Sequence, residues 1–150
     1  MATKANDLMT QNPACVTPQT TALEAASLME REDVGSLPVV ESRDSMKLVG
    51  IVTDRDLALR ILGRGQAAST PVSTAMSSGN LACVGPEDAL DKVEELMASH
   101  QVRRIPVVDE SNRVLGMIAQ ADLAREQKAV GRKDFGKVLQ EISEPGRGKS

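Results

Sequence analysis

Between Val34 and Leu57 the chain runs Val34-Gly35-Ser36-Leu37-Pro38-Val39-Val40 and then Leu48-Val49-Gly50-Ile51-Val52-Thr53-Asp54-Arg55-Asp56-Leu57. The pattern returns as Val102-Arg103-Arg104-Ile105-Pro106-Val107-Val108, followed by Val114-Leu115-Gly116-Met117-Ile118-Ala119-Gln120-Ala121-Asp122-Leu123. Pro18 and Pro86, Met29 and Met97, and Pro38 and Pro106 are each 68 positions apart, while Gly50 and Gly116 are 66 apart, so one connecting loop of the second copy is two residues shorter. A repeat of this length is a duplicated supersecondary unit, and units that cannot bury an apolar face alone stack and leave a cleft between them. With 150 residues to hold both copies, the two are expected to share one core.

Thr21-Ala22-Leu23-Glu24 has the spacing of a capping box, and Ala22, Ala25, Ala26, Leu28 and Met29 recur at helical intervals, so a helix is predicted from about Thr21 to Asp33. Its copy begins after Pro86, with Leu90, Val93, Leu96 and Met97 as the apolar stripe and Lys92, Glu94 and Glu95 on the other face. Leu37 to Val40 and Leu48 to Val52 read as a hairpin, repeated by Ile105 to Val108 and Val114 to Ile118 with Ser111-Asn112 in the turn. A second helix follows each hairpin, at about Asp54 to Leu62, closed by Gly63, and at Gln120 to Lys128. With a short strand beginning near Cys15 and Cys83, each repeat is a β-α-β-β-α unit in an α+β fold. The expected boundaries are residues 7–62 for the first repeat, 63–75 for the linker, 76–128 for the second repeat and 129–150 for the tail.

Cys15 and Cys83, each just before a Val, are predicted to be core thiols without a disulfide. The opening Met1-Ala2-Thr3-Lys4-Ala5-Asn6-Asp7 lacks the apolar stretch of a secretory signal, and no run is long enough to span a bilayer, so a cytoplasmic protein with no membrane partner is expected. A net charge of −3, one Phe and no Trp or Tyr offer neither a basic footprint nor a stacking platform, which argues against nucleic acid as the partner of the main body. The tail is more basic, and Phe135, Val138, Leu139 and Ile142 are spaced as one face of a short docking helix ahead of a disordered end at Pro145 to Ser150.

Two copies of an apolar-Pro-Val-Val strand followed by Gly, two apolar residues and Thr-x-x-Asp, each joined to an upstream helix and introduced by Met9 or Met76, resemble the cystathionine β-synthase (CBS) domain over about residues 7 to 126. The resemblance implies a tandem pair packed sheet to sheet about a pseudo-twofold axis, with two clefts that in many members bind AMP, ADP, ATP or S-adenosylmethionine. It implies a further association into a disc-like homodimer, and ligand sensing rather than catalysis.

Within that frame Asp56 and Asp122 are the candidate ribose acceptors, because two carboxylate oxygens can accept from the 2′ and 3′ hydroxyls together. Thr53, at the strand-to-helix junction, and Arg55 beside it could meet sugar or phosphate oxygens. The alternative is structural: Thr53-x-x-Asp56 is also a capping box. In the second copy Ala119 stands where the hydroxyl would be while Asp122 remains, which favours a ribose role for the acids and removes a donor from the second cleft. Arg103 and Arg104 are placed for phosphate, against the competing reading of surface pairs with Glu94, Glu95 or Glu110. The first copy has Gly35-Ser36 there, so one better and one poorer nucleotide site are expected. Val16, Val34, Leu37 and Ile51, or their copies about Ile105, would wall the purine, with the backbone at Pro38 and Pro106 reading it and Thr17 and Pro18 at its edge; the same apolar positions are equally plain core. His100 fits a helix C-terminus without a metal.

No nucleophile with a base, metal-ligand cluster or phosphate-cradling loop can be assembled from the spacing, so no catalytic residue is expected. The reading is a regulatory module that requires no cofactor, senses AMP or ADP, less readily ATP or S-adenosylmethionine, and acts on a protein partner in trans. The alternative from a different class is a structural dimerisation scaffold with closed clefts whose tail recruits a partner.

Overall fold

The computed structural model describes residues 3–130. The tail helix expected at Phe135 to Ile142 and the disordered end expected after it lie outside the described residues. In chain order the elements are α1 (Ala5–Leu8), β1 (Thr10–Gln11), α2 (Ala22–Glu32), β2 (Ser36–Val40), β3 (Leu48–Thr53), α3 (Asp54–Asp56), α4 (Leu90–His100), β4 (Arg104–Val108), β5 (Val114–Ala119) and α5 (Gln120–Val130). The α3 turn runs on through a π-wound stretch, Leu57–Ile61, and a 3-10 turn, Leu62–Arg64.

Helix α2 starts where the capping box predicts. The Glu24 amide donates to Thr21 Oγ1 at 3.1 Å, and the Thr21 amide donates back to Glu24 Oε1 at 2.9 Å. Those bonds from Thr21 hold the Glu24 carboxyl below the usual carboxylate range. Helix α4 starts on Ala89, which offers no such oxygen. Both helices end alike, on a residue in the left-handed region, Asp33 or Gln101, after which the amide of Val34 or Val102 donates to the carbonyl of Met29 or Met97 at 3.0 Å. This is a Schellman closure with its apolar residue tucked against the helix. Gly63 does not close the second helix of the first repeat, as its position suggested. It stays inside the 3-10 turn, and Gly65, at φ 70°, is the left-handed residue.

The described chain forms two compact units. One consists of Ala14–Leu81 with Asn112–Val114. In it β2 and β3 pair antiparallel, with Ser36 opposite Thr53 and Val40 opposite Leu48, and Val16 joins β2 through a parallel bridge to Val39. Asn112 adds a bond from its Nδ2 to the Leu48 carbonyl, 2.9 Å. The core gathers Val16, Ala25, Met29, Leu37, Val39, Val52, Leu57, Ile61, Val72 and Ala75. The other unit takes the residues up to Pro13, Ala82–Ser111 and the chain from Leu115. Its sheet is ordered β1-β5-β4, with Val84 bridged in parallel to Val107. Ala5, Val84, Leu90, Val93, Met97, Ile105, Val107, Ile118 and Leu123 fill its core. The buried residues of each unit form a cluster of their own, each sheet being covered by its own helices. Glu94, placed by the periodicity on the outer face of α4, is buried instead.

Each unit also borrows the segment that introduces the other copy. Ser77 exchanges two bonds with Ile51, 2.8 and 2.9 Å, while Thr10 and Gln11 pair with Met117 and Gly116. The two glycines at equivalent places in the repeat make room for this: a Cβ on Gly50 would lie 2.8 Å from Met76 Sδ, and one on Gly116 would lie 2.6 Å from Met9 Sδ. Both cysteines are free thiols, Cys15 buried and Cys83 partly exposed. Burial raises both, Cys15 to about 11.

Candidate functional site

In the Ala14–Leu81 unit the end of the β2–β3 hairpin carries the chemistry. Ser36 and Thr53 are cross-strand partners, and the Asp54 amide donates to the Gly35 carbonyl at 2.9 Å, which draws the first turn of α3 onto the start of β2. Thr53 Oγ1 accepts from the Asp56 amide and Asp56 Oδ2 accepts from the Thr53 amide, each at 3.0 Å. The capping box is therefore real. It uses one carboxylate oxygen, and Asp56 Oδ1 takes no hydrogen bond among the described residues. A carboxylate has lone pairs for about four acceptances, so capping and ribose binding are compatible at this residue.

Ser36 adds a feature that the repeat pattern did not single out. Its Oγ is buried and has no hydrogen-bond partner among the described residues. An orphaned buried hydroxyl costs on the order of 1–3 kcal/mol, and the cost is removed by a polar group arriving beside it. The signal was present in the sequence as a lone hydroxyl at the head of an otherwise apolar strand, next to a glycine. Asp54 is a second addition: its Oδ1 accepts from the Arg55 amide at 2.7 Å, and a Cβ on Gly35 would meet its Oδ2 at 3.1 Å. Two carboxylates thus flank Arg55 at this end, which suits the neutral, hydroxyl-rich part of a ligand better than a polyanion.

The Ala82–Ser111 unit repeats the geometry with different side chains. The Gln120 amide donates to the Arg103 carbonyl at 2.7 Å, as Asp54 does to Gly35. The Ala119 amide donates to Asp122 Oδ2 at 2.7 Å, and Arg125 donates to Asp122 Oδ1. The loss of the hydroxyl at Ala119 does not release Asp122 from capping, because the acid still serves the backbone half of the box. That removes the inference drawn from Ala119 in favour of a ribose role. Arg103 is exposed and Arg104 half-buried at the start of β4, and neither makes an ion pair among the described residues, so the expected surface pairs with Glu94, Glu95 or Glu110 are absent there.

Other expected site residues fall elsewhere. Strand alternation turns Leu37 and Ile105 toward the helices, where they are 1% and 0% exposed within the core clusters. Pro38 and Pro106 are buried on the opposite faces of β2 and β4. Val34 closes the end of α2. Because Val16 runs parallel to Val39, Thr17 and Pro18 continue toward Val40, roughly 13 Å along the strand direction from Ser36 at about 3.3 Å per residue. There the Thr17 amide donates to Thr20 Oγ1 at 3.0 Å and the Pro18 carbonyl accepts from the Ser73 amide. His100 is the exposed last residue of α4. Among the described residues no three His, Cys, Asp or Glu side chains are grouped to hold a metal, and no helix is long and apolar enough to cross a membrane.

Comparison with known proteins accounts for the duplication. The family model of the CBS domain matches twice, at residues 5–63 and 72–129. The CBS domain-containing protein YhcV of Bacillus subtilis (strain 168) is 43% identical over 137 residues, which cover 91% of this chain and 93% of that protein. The crystal structure of CBSX2 in complex with AMP, a protein of Arabidopsis thaliana, superposes with a TM-score of 0.75 at 26% identity, covering 86% of this chain and 98% of that one. The crystal structure of the CBS domain pair of protein MJ0100 in complex with 5′-methylthioadenosine and S-adenosyl-L-methionine gives a TM-score of 0.75 at 26% identity, covering 89% and 100%.

Proposed function

Because this chain belongs to the CBS domain family and carries two copies of the domain, we propose that it is a regulatory module that binds an adenosine nucleotide and passes its occupancy to a protein partner in trans. The observation that carries this reading is the turn at Ser36 and Thr53–Asp56, where, among the described residues, a buried hydroxyl lacks a partner and a capping carboxylate keeps one oxygen open. Its donors and acceptors suit a ribose diol. Arg103 and Arg104, without acidic partners among the described residues, supply positive charge suited to phosphate. The adenosyl ligands of CBSX2 and MJ0100 support the same ligand class. AMP or ADP fits this modest charge better than ATP.

A ligand acts here by differential affinity: it shifts the population of whichever arrangement binds it better. Calorimetry and thermal unfolding against AMP test the reading. At a free concentration of 100 times the dissociation constant, AMP stabilises the folded chain by about 2.7 kcal/mol. The absence of any shift with AMP, ADP, ATP and S-adenosylmethionine refutes it.

A scaffold role is favoured by a different observation. Leu23, Leu59 and Leu62 are 60%, 52% and 77% exposed on the helices of the Ala14–Leu81 unit. We propose these exposed leucines as contacts with a second copy in a homodimer. Light scattering of Leu62→Glu should then report a monomer, and a mass unchanged from the parent chain overturns the assignment.

A further inference from the structure

The two repeats place the same carboxylate in different company. On a helix the residue three positions on lies on the same face, and for Asp122 that residue is Arg125, whereas for Asp56 it is Leu59. Arg125 donates to Asp122 Oδ1 while the Ala119 amide holds Oδ2, so each oxygen of Asp122 already accepts a hydrogen bond. Asp122 is 7% exposed. Asp56 has no such neighbour. Arg55, next to it in sequence, makes no ion pair among the described residues, and Arg60, within the π-wound stretch, donates its Nη1 to the Ala75 carbonyl at 3.0 Å.

We infer that Arg125 is an internal occupant of the second diol position, so that this chain takes one adenosine ligand, at Asp56, and not two. The inference rests on the adenosine reading above and adds which of the two carboxylates is competent. Arg125 Nη2 donates to Oδ1, the oxygen left over by the Ala119 amide and the one a ribose hydroxyl would use, so ligand and arginine compete for one acceptor. The competition is local, because the Arg125 side chain is 74% exposed and can leave without unpacking the core.

The test is isothermal titration of the full chain with AMP, in the parent protein and in Arg125→Ala, Arg125→Gln, Asp56→Ala and the double variant Arg125→Ala/Asp122→Ala. The parent should bind one AMP per chain. Asp56→Ala should weaken that binding at least about tenfold. Arg125→Ala and Arg125→Gln should each bind two, and the double variant should return to one. One equivalent in both Arg125 variants, or two in the parent, overturns the inference and leaves the adenosine reading standing. Absence of AMP binding in every protein overturns both.

Discussion

Replacing Gly116 by alanine should loosen the sheet of the Ala82–Ser111 unit more than any other one-carbon addition to it. The added Cβ would sit 2.6 Å from Met9 Sδ and 2.7 Å from the Thr10 carbonyl oxygen. The methionine can turn aside; the carbonyl belongs to β1, which is held on β5 by only two residue pairs, Thr10 with Met117 and Gln11 with Gly116. Overpacking of this kind costs about 1–3 kcal/mol, and a displaced backbone bond adds roughly 1 kcal/mol, so about 2–4 kcal/mol is expected. With a urea m-value of about 2 kcal/mol/M, the midpoint falls by roughly 1–2 M. Gly85→Ala is the control, since its Cβ meets nothing nearer than Asp88 Oδ2 at 3.6 Å; its midpoint should hold. The double variant Met9→Ala/Gly116→Ala separates the sulfur from the carbonyl and should recover only part of the loss. A Gly116→Ala midpoint within about 0.2 M of the parent, on the same m-value, would refute the view that this glycine exists to admit the Met9–Thr10 segment.

Thr21→Ala removes the cap of α2 and should destabilise by ~1 kcal/mol, while Ala89→Ser adds the missing oxygen at α4 and should stabilise by a similar amount, both read by thermal unfolding. The Cys15 thiol keeps its proton to about pH 11 in the folded chain but loses it near pH 9 when unfolded. Stability should therefore be whole below pH 9 and fall by roughly 2–3 kcal/mol as pH rises to 11, a loss absent from Cys15→Ala in urea titrations across that range. Asp56→Ala should cost ~1 kcal/mol of stability through the lost capping acceptor, in addition to its effect on AMP, and Asp56→Asn should restore much of the former.

The sequence was most informative where local chemistry decides the structure. The Thr21–Glu24 box, the β2–β3 hairpin and the turn at Asn112 follow from residues within a few positions of one another. Where distant segments meet, the pattern was silent. Nothing near Gly63 reveals that a π-wound stretch carries the helix past it to Gly65. Glu94 is buried by packing that a helical wheel does not contain. That Thr17 and Pro18 lie beside Val40, at the other end of β2 from Ser36, comes only from the parallel register of Val16 with Val39. The Thr53–Asp56 turn was legible, and so was a lone hydroxyl at the head of an apolar strand, but the burial of the Ser36 Oγ needed coordinates.

The exchange of introductory segments bears on how the chain can be dissected. The family boundary falls between residues 63 and 72, yet residues up to Pro13 complete the sheet of the later repeat, and Met76 and Ser77 lie on the earlier one. Severing at that boundary yields two halves that each carry the other's missing edge. A fragment from residue 72 to 130 would leave β5 with unpaired amides and carbonyls where β1 belongs, a template for mispairing. The two halves should be insoluble apart and recover together when co-expressed, which makes this duplication indivisible by the cut its own symmetry suggests.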